Sequence, residues 1–346
     1  MENKGIYIYG IVPNFYGTEY FRLLKNLGVN FISYDNISAI VSENETAHIN
    51  FLDRESLAHL LVHHQKTIEE IMAIGFNMIL PMKLGTIVPT KKDVLNILEN
   101  GHDLIISILK KIESLTEIDM VATWANLSGV LKEISVQPDI VALKDEILKK
   151  TDTLSQIEQV KVGMLVQTKL NEKNKTIELK ILDALSSFCI DVKIHEVMND
   201  KMVTNSAFLI NRNKKEKFEQ VIDQLDEEFK GLLNFKLVGP LPCYSFYTIE
   251  IKELNAEHVV LAKKKLGLSD ESTESEVKKA YFEKAKLLHP DAHSNNGEEE
   301  DFNSINNAYL TLLEYHTAVK QSSKDDYSSL VKEKEIENLI LVKIKE

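Results

Sequence analysis

The sequence predicts an α+β protein: two mixed α+β domains in succession, then a small all-helical segment. Short runs rich in β-branched and aromatic residues alternate with helix-periodic runs as far as Ile251. The connections between these runs are short, as expected where strands and helices share one core. From residue 252 to 320 only helical patterns remain.

The elements follow in order. Residues 5–12, GIYIYGIV, read as a strand, and 29–34 and 38–42 as two more, joined by the turn-like Asp35-Asn36. A helix is expected from Asp53 to Ala73, with Leu57, Leu60, Leu61, Ile68, Ile71 and Met72 recurring at helical spacing and Gly75 stopping it. Residues 76–88 regain strand character, interrupted by Pro81 and Gly85. A second helix is expected over 91–115, and MVATW at 120–124 as a strand. Residues 139–150 and 155–188 read as helical, and 191–197 and 202–210 as short strands. An amphipathic helix over 213–230 places Phe218, Val221, Ile222, Leu225 and Phe229 on one face. Strands at 233–238 and 244–251 flank Gly239-Pro240-Leu241-Pro242. The two halves have a similar order of elements without a residue-level repeat. The expected division is 1–125, 126–253, a helical domain at 258–320 and a tail at 321–346. The final run NLILVKIKE is compatible with a strand, a helix end or an adhesive tail.

Composition bounds the function. A chain of 346 residues accommodates two or three domains, and a hydrophobic fraction of 44% suits globular folding. A net charge of -12 argues against non-specific nucleic-acid binding and a polybasic membrane anchor. Cys189 and Cys243, far apart and without metal-like spacing, favour a reducing cytoplasm. The first residues lack a signal-peptide layout, and the apolar stretch Ile71–Met82 falls well short of the roughly 20 residues that span a bilayer. The expectation is a cytoplasmic protein.

The helical segment carries the sharpest motif. Thr273 and Glu276 form a capping box, after which Val277, Ala280, Tyr281, Ala285 and Leu288 line one face. Lys278, Lys279, Lys284 and Lys286 decorate the rest. Pro290 disfavours helix at His289, so the helix ends there. A loop follows, and the acidic run 298–301 suits the start of a second helix. Phe302, Ile305, Ala308, Tyr309 and Leu312 form the second apolar face, and the two helices should close an antiparallel hairpin. Its tip presents His289-Pro290-Asp291.

About 60 residues here, 260–316, resemble the J-domain of DnaJ co-chaperones. The matching pieces are Leu266-Gly267-Leu268, Thr273 with EVKKAY (276–281), HPD (289–291) and INNAYLTL (305–312). Ala262 and Lys263 stand where the family usually has aromatic residues. The resemblance implies that His289, Pro290 and Asp291 bind a DnaK-type chaperone and stimulate its ATP hydrolysis, with Lys278, Lys279 and Lys284 adding charge attraction.

The first 253 residues resemble the gas vesicle protein F/L family (GvpF/GvpL), through GIYIYGIV (5–12), ILPMKLGTIV (79–88), NSAFLI (205–210) and VGPLPCYSF (238–246). Lys83-Leu84 replaces the family's Arg-Phe, and Cys243 its Pro. If residue 83 binds a carboxylate, lysine weakens that contact, because it lacks the bidentate fork of arginine. The resemblance implies two ferredoxin-like α+β domains and an accessory role in gas vesicle assembly. The implied partners are the hydrophobic shell subunit, other gas vesicle accessory proteins and, through the J-like segment, the chaperone. Nucleic acid and membrane are not among them.

Other chemistry is poorly supported. His59 and His63 have the spacing of a helical metal pair but no third ligand, and His64 lies on the apolar stripe as a core residue. His289 and His293 share that spacing across a helix-breaking proline. No base is placed beside either cysteine, no GxGxxG or GxxxxGK loop occurs, and no paired-carboxylate or triad arrangement stands out. Trp124, Tyr244 and Phe246 read as core. No metal, cofactor or catalytic residue is expected. The overall expectation is a non-enzymatic assembly factor associated with gas vesicles. The alternatives are a minor structural component with a docking-only hairpin, and a general DnaJ-like co-chaperone.

Overall fold

A computed structural model of the chain describes residues 4–14, 27–46, 53–149, 155–269, 272–288, 296–322 and 339–345. The chain divides into two compact units, Met1–Lys111 with Tyr247–Glu346, and Ile112–Phe246.

The first unit opens with strands β1 (Lys4–Pro13), β2 (Asn30–Tyr34) and β3 (Ile37–Thr46). Asp35, at φ +49, makes the tight turn between β2 and β3, a conformation that aspartate tolerates better than most residues. Helix α1 (Arg54–Ala73) starts where the Asp53 side chain accepts the Ser56 N–H. The two-residue strands β4 (Leu80–Pro81) and β5 (Ile87–Val88) follow. The sheet is antiparallel in the order β2-β3-β1-β4, with β5 also paired to β1. That order is ferredoxin-like; residues 15–26 lie outside the described residues.

Tyr7 and Tyr9 share one face of β1 and meet α1 there. The Tyr7 hydroxyl lies 2.8 Å from His64 Nδ1, and that of Tyr9 lies 3.3 Å from His63 Nε2. Burial, with the neighbouring His63 charge, lowers the His64 pKa to about 4, so His64 stays neutral at pH 7.

The helix expected over 91–115 is two helices, α2 (Lys91–Asn100) and α3 (His102–Ile112), separated at Gly101. A side chain at Gly101 would collide with Ile105 and with Val342.

The second unit is the fuller ferredoxin-like fold. Strand β6 (Leu115–Trp124) leads into α4 (Leu127–Ser135), α5 (Pro138–Leu148) and the long α6 (Gln156–Ser186). Then come β7 (Cys189–Ile194), β8 (Met202–Asn211), α7 (Lys215–Glu228) and β9 (Leu233–Leu241). The strand order is β7-β8-β6-β9, all antiparallel. Ile118, Met120, Phe208 and Ile210 project from the sheet onto Leu170, Ile181, Leu185, Phe218 and Ile222 of the helices. Helix α4 was not anticipated from the sequence.

Strand β6 is an inner strand of the second sheet, and the second compact unit begins at Ile112. Strand β10 (Thr248–Glu253) belongs to the first unit, where Met82 and Lys83 bond to Ile249. The helical segment holds α8 (Ala256–Leu266), α9 (Glu274–Leu287) and α10 (Asn296–Ser322). The terminal run resolves as strand β11 (Ile340–Lys345), paired antiparallel with β10. No described helix is long and apolar enough to cross a membrane.

Candidate functional site: a lysine-bearing helix and a buried acid pair

The helical segment is built from local signals. The Asn255 side chain accepts the N–H groups of Glu257 and His258 and starts α8, which Gly267 ends in the left-handed conformation at φ +74. The capping box at Thr273 and Glu276 starts α9. Thr273→Ala should cost about 1 kcal/mol of local stability. Amide exchange in the first turns of α9 checks this, and an unchanged rate there would contradict it. Tyr281 stacks on Tyr309 of α10 with ring centroids 4.1 Å apart, closing the helix pair. Val259, Leu266, Val277, Leu312 and Tyr315 form its core. Lys263, at the position where the resemblance led one to expect an aromatic group, is buried with its ammonium 5.6 Å from the Tyr315 ring centroid.

His289, Pro290 and Asp291 lie outside the described residues, immediately beyond the end of α9 at Leu288. The three lysines expected to act with them differ in setting. Lys278 is exposed and pairs with Glu274 at 2.7 Å. Glu274 also receives Lys320 at 2.8 Å, and the hydrogen bonds from Lys278 and then Lys320 lower its pKa to about 2. Lys279 is exposed. Its charge adds to the two Thr273 hydrogen bonds that hold the Glu276 carboxyl below its ordinary range. Lys284 is half-buried and donates to the Lys265 carbonyl in the last turn of α8. Sequence reasoning missed Phe282 and Leu287, 66% and 69% exposed beside these lysines. Their signal was present, since Phe282 lies four residues from both Lys278 and Lys286 and so shares their face. An exposed cationic face with an aromatic group at its centre suits an acidic protein surface with an apolar pocket.

In the second unit the structure brings together a pair of carboxyls where none was expected. Glu117 and Asp119 are two apart on β6 and therefore face the same way. The β6–β9 register shifts between them. Both Glu117 oxygens are occupied: the Ser245 N–H and hydroxyl each donate to one at 2.8 Å. His195 Nε2 lies 3.2 Å from the same hydroxyl. Burial, reinforced by the Asp119 charge and opposed by Ser245, pushes the Glu117 pKa up to about 8. Burial raises Asp119 as well, against the Glu117 hydrogen bond and the His195 charge. Two buried carboxyls this close titrate as a pair, not singly. Their structural effect is to fasten residues 242–246 onto the sheet.

Neither cysteine is activated. Burial raises the thiols of Cys243 and Cys189 to about 12 each. Among the described residues no group of three or more His, Cys, Asp and Glu side chains is arranged for a metal ion. Lys83 does meet a carboxylate, Glu250 at 3.2 Å, with 62% of the lysine side chain exposed.

The family model described as gas vesicle synthesis protein GvpL/GvpF matches residues 5–248, and the DnaJ domain model matches 264–318. Gas vesicle protein F of Dolichospermum flosaquae is 22% identical over 249 residues, covering 71% of this chain and 98% of that protein. The corresponding protein of Nostoc sp. is 23% identical, with 71% and 99% covered. Over 62 residues the chain is 42% identical to the chaperone protein DnaJ of Mesoplasma florum, covering 18% of this chain and 16% of that one. The crystal structure of GvpF from Anabaena sp. PCC7120 superposes with a TM-score of 0.57 at 21% identity, covering 70% of this chain and 95% of that one. GvpF from Microcystis aeruginosa gives 0.57 and 21%, covering 70% and 98%. Fold and matches define a protein of two parts, an α+β body of the gas vesicle type and a helical J-domain. The chain belongs to the gas vesicle synthesis protein GvpL/GvpF family and carries a DnaJ domain after it.

Proposed function

We propose that this protein is a non-enzymatic assembly factor for gas vesicles, acting in the cytoplasm and on the vesicles themselves. In this reading the α+β body holds the hydrophobic shell subunit. The J-domain recruits a DnaK-type chaperone to it through His289, Pro290 and Asp291, and stimulates its ATPase. The observation that carries the reading is the succession of the two family matches in one chain, at 5–248 and 264–318. Its physical rationale is that a shell subunit rich in apolar strand surface is prone to aggregate before assembly. Joining client and chaperone sites in one molecule raises the local chaperone concentration without any new contact.

A second reading, a structural component whose hairpin only docks, is favoured by one observation. Lys278 and Lys284 already have partners within the chain, Glu274 and the Lys265 carbonyl.

The test is a pull-down from gas-vesicle-producing cells, wild type beside His289→Gln, with the ATPase of the recovered chaperone measured in parallel. The expected result is that wild type recovers shell subunit and chaperone and accelerates ATP hydrolysis, while His289→Gln loses the chaperone and the acceleration but keeps the subunit. Recovery of neither partner by the wild type would overturn the reading. Equal ATPase rates for the two proteins would favour docking alone.

A further inference from the structure

The J-domain match ends at residue 318, yet the helical core does not end there. Leu341, on β11, is 1% exposed and belongs to the same apolar cluster as Val259, Leu312 and Tyr315. Successive residues of a strand face opposite ways. Accordingly Val342, also 1% exposed, points to the other side, where its Cγ1 would lie 2.9 Å from any Cβ built on Gly101. Strand β11 is thus a shared wall, with one face in the helical core and the other against the junction of α2 and α3.

Three further contacts fasten this wall. Strand β11 pairs with β10 from Thr248↔Lys345 to Glu253↔Ile340, and β10 is itself tied to the N-terminal sheet by the Lys83 N–H, 2.8 Å from the Ile249 carbonyl. The Gln321 side chain, at the end of α10, donates to the Val342 carbonyl at 2.8 Å and accepts the Val342 N–H at 3.1 Å. Glu314, in the middle of α10, takes Lys252 of β10 at 2.6 Å and also Lys343 of β11. One helix is therefore bonded to both strands of the ribbon.

We propose that the C-terminal strand Ile340–Lys345 is a strap that locks the three J-domain helices onto the N-terminal α+β domain. The helices act in one fixed pose, and releasing the strap turns them into a loosely held arm. The physical basis is that a helical segment of this size has a small stability margin, so contacts from outside it can set its pose. Here it borrows Leu341 from the strand and its orientation from Val342, Gln321 and Glu314. The strap stands on geometry alone; its consequence for chaperone stimulation rests on the function proposed above.

The experiment is hydrogen–deuterium exchange on the full chain, wild type beside Leu341→Asp, with ATPase stimulation of a DnaK-type chaperone as a second readout. A buried, unpaired carboxylate at 341 should eject the strand. The expected result is at least tenfold faster exchange in 248–253 and in 256–322, with rates in 115–241 unchanged. Rates within twofold of wild type in 256–322 would overturn the strap. Should Leu341→Asp also unfold 115–241, the milder Gln321→Ala decides. Several-fold faster exchange confined to 340–345 and the helices supports the strap, and unchanged rates refute it. If exchange rises as expected but wild type fails to stimulate the ATPase, the strap stands and the functional reading falls.

Discussion

Glu117→Gln should remove most of the pH dependence from the stability of the 112–246 unit. In the wild type, Glu117 has its pKa raised by burial from 4.5 to about 8. A carboxyl raised on folding contributes stability that is fully present below its unfolded value. That stability is lost as pH rises through the folded value. The unit should therefore weaken between about pH 4.5 and pH 8, by a total on the order of 5 kcal/mol. Glutamine keeps the shape and carries no charge at any pH. Its carbonyl can accept the Ser245 N–H and its amide can donate to the Ser245 hydroxyl, so the segment 242–246 stays fastened. The variant should match the wild type near pH 5 and exceed it at pH 9. Trp124 makes the measurement clean: it is the single tryptophan of the chain, 3% exposed, inside this unit. Urea midpoints followed by its fluorescence at pH 5, 7 and 9 give the result, and parallel slopes for the two proteins would refute the raised Glu117 pKa. The first unit should respond in the opposite sense. Glu274 is held at about 2 by Lys278 and Lys320, and its contribution disappears as pH falls from 4.5 towards that value.

Phe208→Ala should cost about 4 kcal/mol. Phe208 is fully buried on β8 and meets Phe218 of α7 edge-to-face, with centroids 5.3 Å apart. Removing the ring loses its transfer free energy, its aromatic contact and part of the sheet–helix packing together. The surrounding Ile118, Ile210 and Ile222 are branched and held by their own neighbours, so collapse into the void is limited. A loss smaller than about 1.5 kcal/mol in the same fluorescence titration would mean that the site relaxes freely.

What the sequence disclosed depended on how local the cause was. The capping box at Thr273 and Glu276 and the helix carrying Phe218, Ile222 and Leu225 were legible because their signals lie within one or two turns. The two α+β folds and the J-domain were legible from a handful of short pieces in order. The place of strand β6 within its sheet was not legible, because its neighbours, Met202–Asn211 and Leu233–Leu241, are about a hundred residues away. The crowding that favours glycine at 101 comes in part from Val342, more than two hundred residues later. Glu117 and Asp119 at alternate positions of a strand could have suggested a pair. What could not be read was the return of Ser245 to cover them.

The two thiols, Cys243 buried and Cys189 half-buried, have a practical consequence. At a pKa of about 12 for Cys189 and Cys243, only on the order of one thiol in a hundred thousand is ionised at pH 7, and the thiolate is the form that alkylating dyes attack. Buried Cys243 is thus nearly silent to maleimide probes while the chain is folded, and half-buried Cys189 reacts slowly. A cysteine introduced at exposed Lys279 or Phe282 would be labelled first, with no native cysteine removed. Fluorophores or spin labels placed there would report directly on the face offered to a partner, and uptake of dye by Cys243 would itself signal that the second unit had opened.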